Sequence, residues 1–232
     1  MGEMGRAYDG SYAEYALLPN EQIYPVDSQL PWSELAAVPE TYYTAFGSFK
    51  NLQIKEGDSI LVRAATSGVG LAFLKLVKAQ FPQNRVVGAV RSLAKKDLLQ
   101  HQGFDEIILD EKGVLQTEEK FDKILELVGP ATLKNSFDHI QSAGIICNTG
   151  QLGGKWYVEE FDPIVEIKNN SFLTSFYSGN VSQQLIDELF SYIDAYQRNL
   201  SPQRIFSLEQ IPAAHSYIES QVGFGKVVVL ND

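Results

Sequence analysis

The chain has 232 residues, of which 29 are acidic and 19 are basic, for a formal net charge of −10. Hydrophobic residues make up 44% of the chain and charged residues 21%, proportions that exclude intrinsic disorder as its main state. The acidic surplus excludes a protein whose main role is to wrap nucleic acid, and no apolar run reaches the ~18 residues of a membrane span.

The opening segment is predicted to form two short strands. Tyr12–Leu18 suits a half-buried strand, and Gln22–Val26 suits an edge strand because Pro25 has no backbone N–H to donate. Two isolated strands cannot make a stable domain, so we expect them to be covered either by later chain, with the strands of the carboxyl end as the candidates, or by chain that this sequence lacks. Residues 1–40 are therefore assigned to a partial second domain.

From residue 41 to residue 178, apolar strands alternate with helices. The predicted helices include Thr41–Leu52, Val69–Phe81, one capped by Ser92 and ended by Gly103, and Leu133–Ile140. The predicted strands are Ser59–Arg63, Arg85–Val90, Glu106–Leu109, Lys123–Val128, Gly144–Asn148 and Phe172–Phe176. Short connections between such elements imply parallel pairing with right-handed crossovers. We therefore predict a doubly wound parallel α/β sheet, a Rossmann fold, over residues 41–178.

The remaining segment, residues 179–232, changes character. A helix over Ser182–Arg198 precedes a strand over Arg204–Leu208. Ser207 and Gln210 have the spacing of a capping box, which predicts a further helix that the glycines around residue 224 end. A strand over Lys226–Leu230 closes the chain, and this segment is expected to return to the partial second domain.

The turn between the first strand and the first helix of the sheet consists of small residues, Ala64-Ala65-Thr66-Ser67-Gly68-Val69-Gly70. Against the G-x-G-x-x-G pattern, Ala65 and Ser67 replace the first two glycines and Gly70 keeps the third. Small side chains there let backbone N–H groups reach a pyrophosphate at the positive end of the helix. The alternative is an ordinary tight strand–helix turn.

The residue that ends the second strand indicates which dinucleotide is bound. An acidic residue there binds the ribose hydroxyls of NAD, but this chain has Arg91, followed by Ser92, Lys95 and Lys96. A guanidinium binds a phosphate with two parallel hydrogen bonds, so we predict a 2′-phosphate pocket and a preference for NADPH. The alternative, basic side chains that only solvate a surface, is favoured for Lys96.

Four segments together resemble a known family. They are GRAYDGSYAEY at residues 5–15, PETYYTAF at 39–46, the loop at 65–70, and GKVV at 225–228. In this order they resemble the zinc-free quinone oxidoreductase branch of the medium-chain dehydrogenases/reductases, from Gly5 to Leu230. The resemblance implies a partial GroES-like second domain and an NADPH-dependent, homodimeric reductase of quinones or α,β-unsaturated carbonyls.

The resemblance also implies the residues of the cofactor site. They are Thr44 on its helix, Ala65, Thr66, Ser67, Gly68, Val69 and Gly70 at the pyrophosphate, Arg91, Ser92 and Lys95 at the 2′-phosphate, Val128, Thr149, Gly150, Leu152, Phe172 and Thr174 around the nicotinamide, and Lys226 near the phosphates. For Thr44, Val128 and Phe172, plain packing or a helix-surface position is an equal alternative. No catalytic residue is assigned. Tyr42 and Tyr43 lie near the implied cleft, where they could donate a proton, but aromatic packing is the favoured interpretation.

The resemblance begins partway through the GroES-like domain, whose first portion shapes the substrate pocket in this family. The sequence therefore leaves open a truncated, non-catalytic NADP(H)-binding module. An S-adenosylmethionine-dependent methyltransferase shares the fold class but commonly needs an acidic residue where Arg91 stands.

Cysteine and histidine are too scarce for a recognisable metal site. The one cysteine, Cys147, excludes an internal disulfide and a four-cysteine zinc site, and it suits a cytoplasmic location. His101, His139 and His215 are far apart in sequence. We predict that the protein binds no metal and that it reduces conjugated acceptors rather than oxidising alcohols. Cys147 is predicted to be a small apolar residue in a buried strand.

Overall fold

The computed structural model describes residues 4–5, 7–196, 200–220 and 225–231. The chain divides into two units, one formed by Met1–Tyr43 with Ser178–Asp232 and the other by Thr44–Tyr177. Among the described residues, no helix is both long enough and apolar enough to cross a lipid bilayer.

The elements follow one another in the alternating order that the sequence predicts. The helices are α1 (Trp32–Leu35), α2 (Thr41–Leu52), α3 (Gly68–Gln80), α4 (Lys96–His101), α5 (Leu133–Asp138), α6 (Pro163–Glu166), α7 (Gln183–Tyr196) and α8 (Ile211–Glu219). The strands are β1 (Ile60–Arg63), β2 (Val86–Val90), β3 (Glu106–Glu111), β4 (Val114–Leu115), β5 (Phe121–Glu126), β6 (Ile140–Asn148), β7 (Phe172–Ser175), β8 (Arg204–Ser207) and β9 (Val227–Leu230). The short β4 and α6 were not predicted, and Ile140 begins β6 instead of ending α5.

The second unit is built on a sheet of order β4-β3-β2-β1-β5-β6-β7. Its described neighbours pair in parallel except β3 and β4, so the predicted doubly wound sheet is confirmed. The order reverses at β1, which pairs with β2 on one side and β5 on the other. Ligands of such sheets bind at the carboxyl ends of the strands beside this reversal.

Apolar layers cover both faces of this sheet. On one face Phe137 of α5 packs in a buried cluster with Leu61 and Ile146. On the other, the ring centroids of Phe49 in α2 and Phe73 in α3 lie 6.5 Å apart. Because β1 and β2 are buried on both faces, they read in the sequence as continuous apolar runs.

A buried arginine ends β1 within this core. Arg63 is fully buried, and all its N–H groups donate hydrogen bonds. The acceptors, 2.8 to 3.0 Å away, are Asp110 Oδ2, which takes two of the bonds, the carbonyls of Gly113 and Thr132, and Ser136 Oγ. Glu126, also fully buried, has Oε2 3.6 Å from Nη1 of Arg63. One guanidinium therefore links β1, β3 and β5.

The first unit contains a two-stranded parallel sheet, with Arg204 of β8 opposite Val227 of β9 and α8 connecting the two strands. The predicted capping box is confirmed, since Ser207 and Gln210 bind each other's backbone; it opens a 3₁₀ turn over Leu208–Gln210 that leads directly into α8. The ends of two predicted features, residues 197–198 of the helix over Ser182–Arg198 and the glycine break at residues 223–224, lie outside the described residues.

The two strands predicted in the opening segment are wrong. Over residues 12–26 the structure has only a short 3₁₀ turn at Asn20–Gln22, and no ladder joins this segment to β8 or β9. Side-chain contacts hold it instead: the Tyr12 hydroxyl lies 2.8 Å from His215 Nε2, and Asn231 Nδ2 donates to the Ala13 carbonyl at 3.0 Å. The strands β8 and β9 pair with each other, so neither pairs with the opening segment.

Replacing Arg63 with Met leaves the carboxylates of Asp110 and Glu126 buried without their counter-charge. We therefore expect the free energy of unfolding, measured by urea denaturation, to fall by about 3–5 kcal/mol. Arg85 is the matched control because it pairs with Glu106 and Glu119 at the surface, where Arg85→Met is expected to cost about 0–1 kcal/mol. Equal losses for the two variants would contradict this interpretation.

Candidate functional site

Parallel pairing brings most of the predicted cofactor residues to one edge of the sheet. The strands β1, β2, β5 and β6 all end there, so the segments that follow them are neighbours. These segments are the loop 64–70, residues 91–95, residues 127–130 and residues 149–153. The edge is thus assembled from segments far apart in the chain.

The loop after β1 forms the amino end of α3. Ser67 caps this helix, since its Oγ accepts from the Gly70 N–H at 3.0 Å and its carbonyl accepts from Leu71 at 3.0 Å. The remaining first-turn amides, those of Gly68 and Val69, have no carbonyl one turn earlier in the helix. Two N–H groups and the positive end of the helix dipole are therefore available to an anion.

Gly70 allows the loop and the helix to pack closely. A Cβ at this position would lie 3.0 Å from the Ala64 carbonyl oxygen and 3.3 Å from the Ala65 Cα. Ala64 itself has φ of 61°, which is rare for a residue with a side chain and marks a strained turn. This close approach is the role that the third glycine of the dinucleotide pattern has.

Ala65 contributes packing rather than a ligand contact from its side chain. It is fully buried, and a Cβ on Gly88 of β2 would lie 2.7 Å from the Ala65 Cβ. Its N–H donates to the Ala89 carbonyl at 3.1 Å. The loop is therefore held against the sheet, while Thr66 and Ser67 beside it are half-buried.

The basic segment after β2 lies next to this loop. The Arg91 side chain is exposed, and its guanidinium makes no hydrogen bond or ion pair with any other described residue. Ser92 is also exposed, and its Oγ accepts from the Ala94 N–H at 3.3 Å to cap a short 3₁₀ turn over Leu93–Lys95. The Arg91 guanidinium is thus open to an anionic group at the strand end, with Lys95 half-buried close by in sequence.

The ends of β5 and β6 are joined by glycines in close contact. A Cβ on Gly150 would lie 2.1 Å from the Leu127 carbonyl oxygen, and one on Gly129, whose φ is +88°, would lie 2.3 Å from the Gly150 oxygen. The half-buried Val128 accepts from the Gly153 N–H at 2.9 Å. Any side chain at Gly129 or Gly150 would push these two strand ends apart.

A chain of small polar groups connects β6 to α2. Ser48 Oγ donates to the Thr44 carbonyl at 2.8 Å and lies 2.8 Å from Thr149 Oγ1. Because the Ser48 proton is used on Thr44, Thr149 donates to Ser48 and its oxygen accepts from the thiol of Cys147, 3.4 Å away. The Thr149 hydroxyl therefore has no proton left to donate and can only accept a hydrogen bond from a ligand.

Four predicted site residues lie outside this arrangement or at its margin. Leu152 is 66% exposed. Phe172 is 59% exposed and is the first residue of β7, where it lies opposite Ile145 and away from the carboxyl end of the strand. Thr174 is half-buried opposite Cys147. Lys226 belongs to the other unit, where it donates to Thr41 Oγ1 at 3.0 Å and burial lowers its pKa. Their contacts with a cofactor stay predictions.

Sequence reasoning did not single out Ser48, Arg63 or Glu126. Two of them carry a recognisable signal, because Arg63 ends the apolar run of β1 and Glu126 interrupts the run Ile124-Leu125-Glu126-Leu127. A charged residue in a strand buried on both faces needs partners inside the protein. Ser48 gives no such signal in the sequence.

No metal-binding cluster is present among the described residues: no three His, Cys, Asp or Glu side chains lie close enough together to hold an ion. Each histidine has an ordinary partner. His101 Nδ1 lies 2.6 Å from the Asp97 carbonyl, His139 Nδ1 lies 3.0 Å from the Glu119 carbonyl, and His215 contacts Tyr12.

Burial at the site makes the thiol of Cys147 unreactive. Its pKa is raised because burial disfavours the thiolate, an effect that the nearby hydroxyls of Thr149 and Ser48 only partly offset. We expect native protein at pH 8 to react with iodoacetamide at least roughly tenfold more slowly than urea-unfolded protein. With one cysteine in the chain, mass spectrometry reports this residue alone, and equal rates would contradict the placement.

Residues 102–229, more than half of the chain, match the family model described as zinc-binding dehydrogenase. Mouse quinone oxidoreductase is 28% identical to this chain over 154 residues. The match covers 62% of this chain and 46% of that protein, so the chain spans about half the length of this curated relative.

Two solved structures share the fold. Bacillus subtilis yhfP, with NAD bound, has a TM-score of 0.81 at 24% identity, covering 98% of this chain and 72% of that one. Escherichia coli K-12 YhdH, with bound NADPH, has a TM-score of 0.82 at 16% identity, covering 97% and 72%. The sequence match and the sheet topology lead to one conclusion: the chain belongs to the zinc-binding dehydrogenase family of the medium-chain dehydrogenases/reductases and is similar to the quinone oxidoreductases.

Proposed function

We propose that the chain is an NADPH-dependent oxidoreductase that transfers a hydride to a quinone or another α,β-unsaturated carbonyl. The observation that carries the proposal is the free amino end of α3 at the strand reversal, with the open Arg91 guanidinium at the next strand end. A cytoplasmic location, expected from the single cysteine, is part of the same proposal.

The loop residues have the chemistry that a pyrophosphate needs. The amides of Gly68 and Val69 would donate to it at the positive end of α3, and Gly70 keeps the loop close enough for that approach. Arg91 would form two hydrogen bonds with a 2′-phosphate, assisted by Ser92 and Lys95. Since one similar structure holds NAD and the other NADPH, the preference for NADPH rests on Arg91.

The bound coenzyme would supply the hydride, while the chain supplies binding and orientation. Val128, Thr149 and Gly150 would hold the nicotinamide end at the edge of β5 and β6, with Thr149 accepting a hydrogen bond from it. The acceptor class follows the mouse relative, a quinone oxidoreductase. The family description names zinc, but the described residues hold no set of ligands for it, so zinc independence belongs to the proposal.

The cofactor preference is tested by reversing the charge at residue 91. Arg91→Asp removes a charge-assisted hydrogen bond to the 2′-phosphate and repels it. We therefore expect the affinity for NADPH to fall by about tenfold or more, while the affinity for NADH, which lacks this phosphate, changes little. Titration of the NADPH fluorescence measures both affinities. Lys96→Asp is the matched control with unchanged affinity, and retention of NADPH binding in Arg91→Asp would count against the site.

Turnover separates an enzyme from the second hypothesis, a non-catalytic NADP(H)-binding module. The purified chain is mixed with NADPH and a panel of quinones and enals, and oxidation is followed at 340 nm. Consumption of NADPH with any acceptor supports the enzyme. Tight binding without oxidation supports the binding module instead.

We further propose a homodimer formed through β7. This strand ends the sheet, with no strand beyond it among the described residues, and it exposes 59% of Phe172 and 38% of Leu173. A second copy that pairs its own β7 antiparallel across a two-fold axis would extend the sheet and cover these apolar residues.

A lysine on the edge strand should prevent this pairing. Leu173→Lys places a charge in the proposed contact, so we expect the mass measured by analytical ultracentrifugation to fall from dimer to monomer. Ile164→Lys is the control because Ile164 is 92% exposed but lies outside β7. A wild-type monomer, or a Leu173→Lys dimer, would refute the proposed interface.

A further inference from the structure

Glu126 is the residue on which two strand ends converge. Its Oε1 accepts from the N–H of Val128 at 2.9 Å and from that of Gly129 at 3.0 Å. Its main-chain carbonyl accepts from the N–H of Thr149 at 2.9 Å and from that of Gly150 at 3.2 Å. One residue therefore holds the segment after β5 and the segment after β6.

The carboxylate of Glu126 is itself held in place. Its Oε2 accepts from Ser136 Oγ at 2.5 Å, and Ser136 in turn accepts from Arg63 at 2.9 Å. Oε2 also lies 3.6 Å from Arg63 Nη1, so the negative charge is balanced although the side chain is fully buried. A carboxylate accepts at both oxygens, as these partners require, whereas an amide would place N–H donors toward the Arg63 guanidinium.

The residues that Glu126 holds all lie on one side of β1. Val128, Thr149 and Gly150 follow β5 and β6, whereas Arg91 follows β2 on the other side. In a sheet of this order a dinucleotide binds across the reversal, one mononucleotide on each side. A change at Glu126 therefore acts on the half of the site that lies away from the 2′-phosphate.

We propose, on the basis of the proposed function, that Glu126 is a positioning residue for the nicotinamide half of NADPH. By holding the amides of Val128 and Gly129 and the start of the Thr149–Gly150 turn, it sets where the nicotinamide edge meets the chain. It does not act on the half that Arg91 and the loop 65–70 bind. A residue that serves stability alone would affect both halves.

The test compares a complete coenzyme with its adenosine half. Isothermal titration calorimetry measures the affinities of wild type and Glu126→Gln for NADPH and for adenosine 2′,5′-bisphosphate. We expect Glu126→Gln to weaken NADPH binding about tenfold, because the displaced strand ends no longer fit the nicotinamide half, and to leave the affinity for the half-ligand within about twofold. Asp110→Asn is the matched control, because Asp110 binds the same Arg63 but neither strand end.

Each outcome decides the matter. Equal weakening of both ligands in Glu126→Gln, no weakening of either, or the same pattern in Asp110→Asn overturns the positioning role. If the wild type binds neither ligand, the proposed function is overturned and this inference with it. If the wild type binds both ligands, the variants test the positioning role of Glu126 alone. If Glu126→Gln does not fold, Ser136→Ala takes its place. This variant removes the donor to Oε2 together with one acceptor of the Arg63 guanidinium, and a selective loss of NADPH affinity is again required.

Discussion

One guanidinium, that of Arg63, sets the geometry on which the site depends. It lies inside the sheet between two buried carboxylates, and each of its N–H groups has an acceptor. A buried ion pair adds little net stability, because desolvation offsets the attraction, but it requires one arrangement of its partners. That arrangement links the start of the loop after β1 to Glu126, so both sides of the strand reversal are tied to the same group.

The two sides of the site are built differently. On the β2 side, a small-residue loop with a strained Ala64 presents backbone amides, and the exposed Arg91 adds charge. On the β5 and β6 side, the amides after Glu126 are already bound to its carboxylate, and the Thr149 hydroxyl has already donated its proton. The first side is therefore suited to bind anions, while the second offers a preformed edge with an acceptor.

The failed strands of the opening segment show where periodicity misleads. Alternating residues at 12–18 satisfy the pattern of a strand, yet a strand also needs a neighbour that supplies its hydrogen bonds. Here β8 and β9 supply each other's, so the opening segment adopts irregular structure with Leu17 96% exposed. Most strands of residues 44–177 were predicted correctly. The central strands β1 and β2 are buried on both faces and read as apolar runs, and helices connect them to the strands that follow, whereas the two-residue β4 was missed.

By itself, the sequence determined the alternation of strands and helices, the small-residue turn that ends at Gly70, and the basic residue at the end of β2. These features depend on residues close together in the chain, and parallel pairing then requires all strand ends to meet at one edge. Only the tertiary structure decided that Arg63 meets Asp110 and Glu126, and that Ser48 meets Thr149. Such contacts join positions far apart in sequence, and local periodicity carries no information on which distant side chain fills a buried polar position.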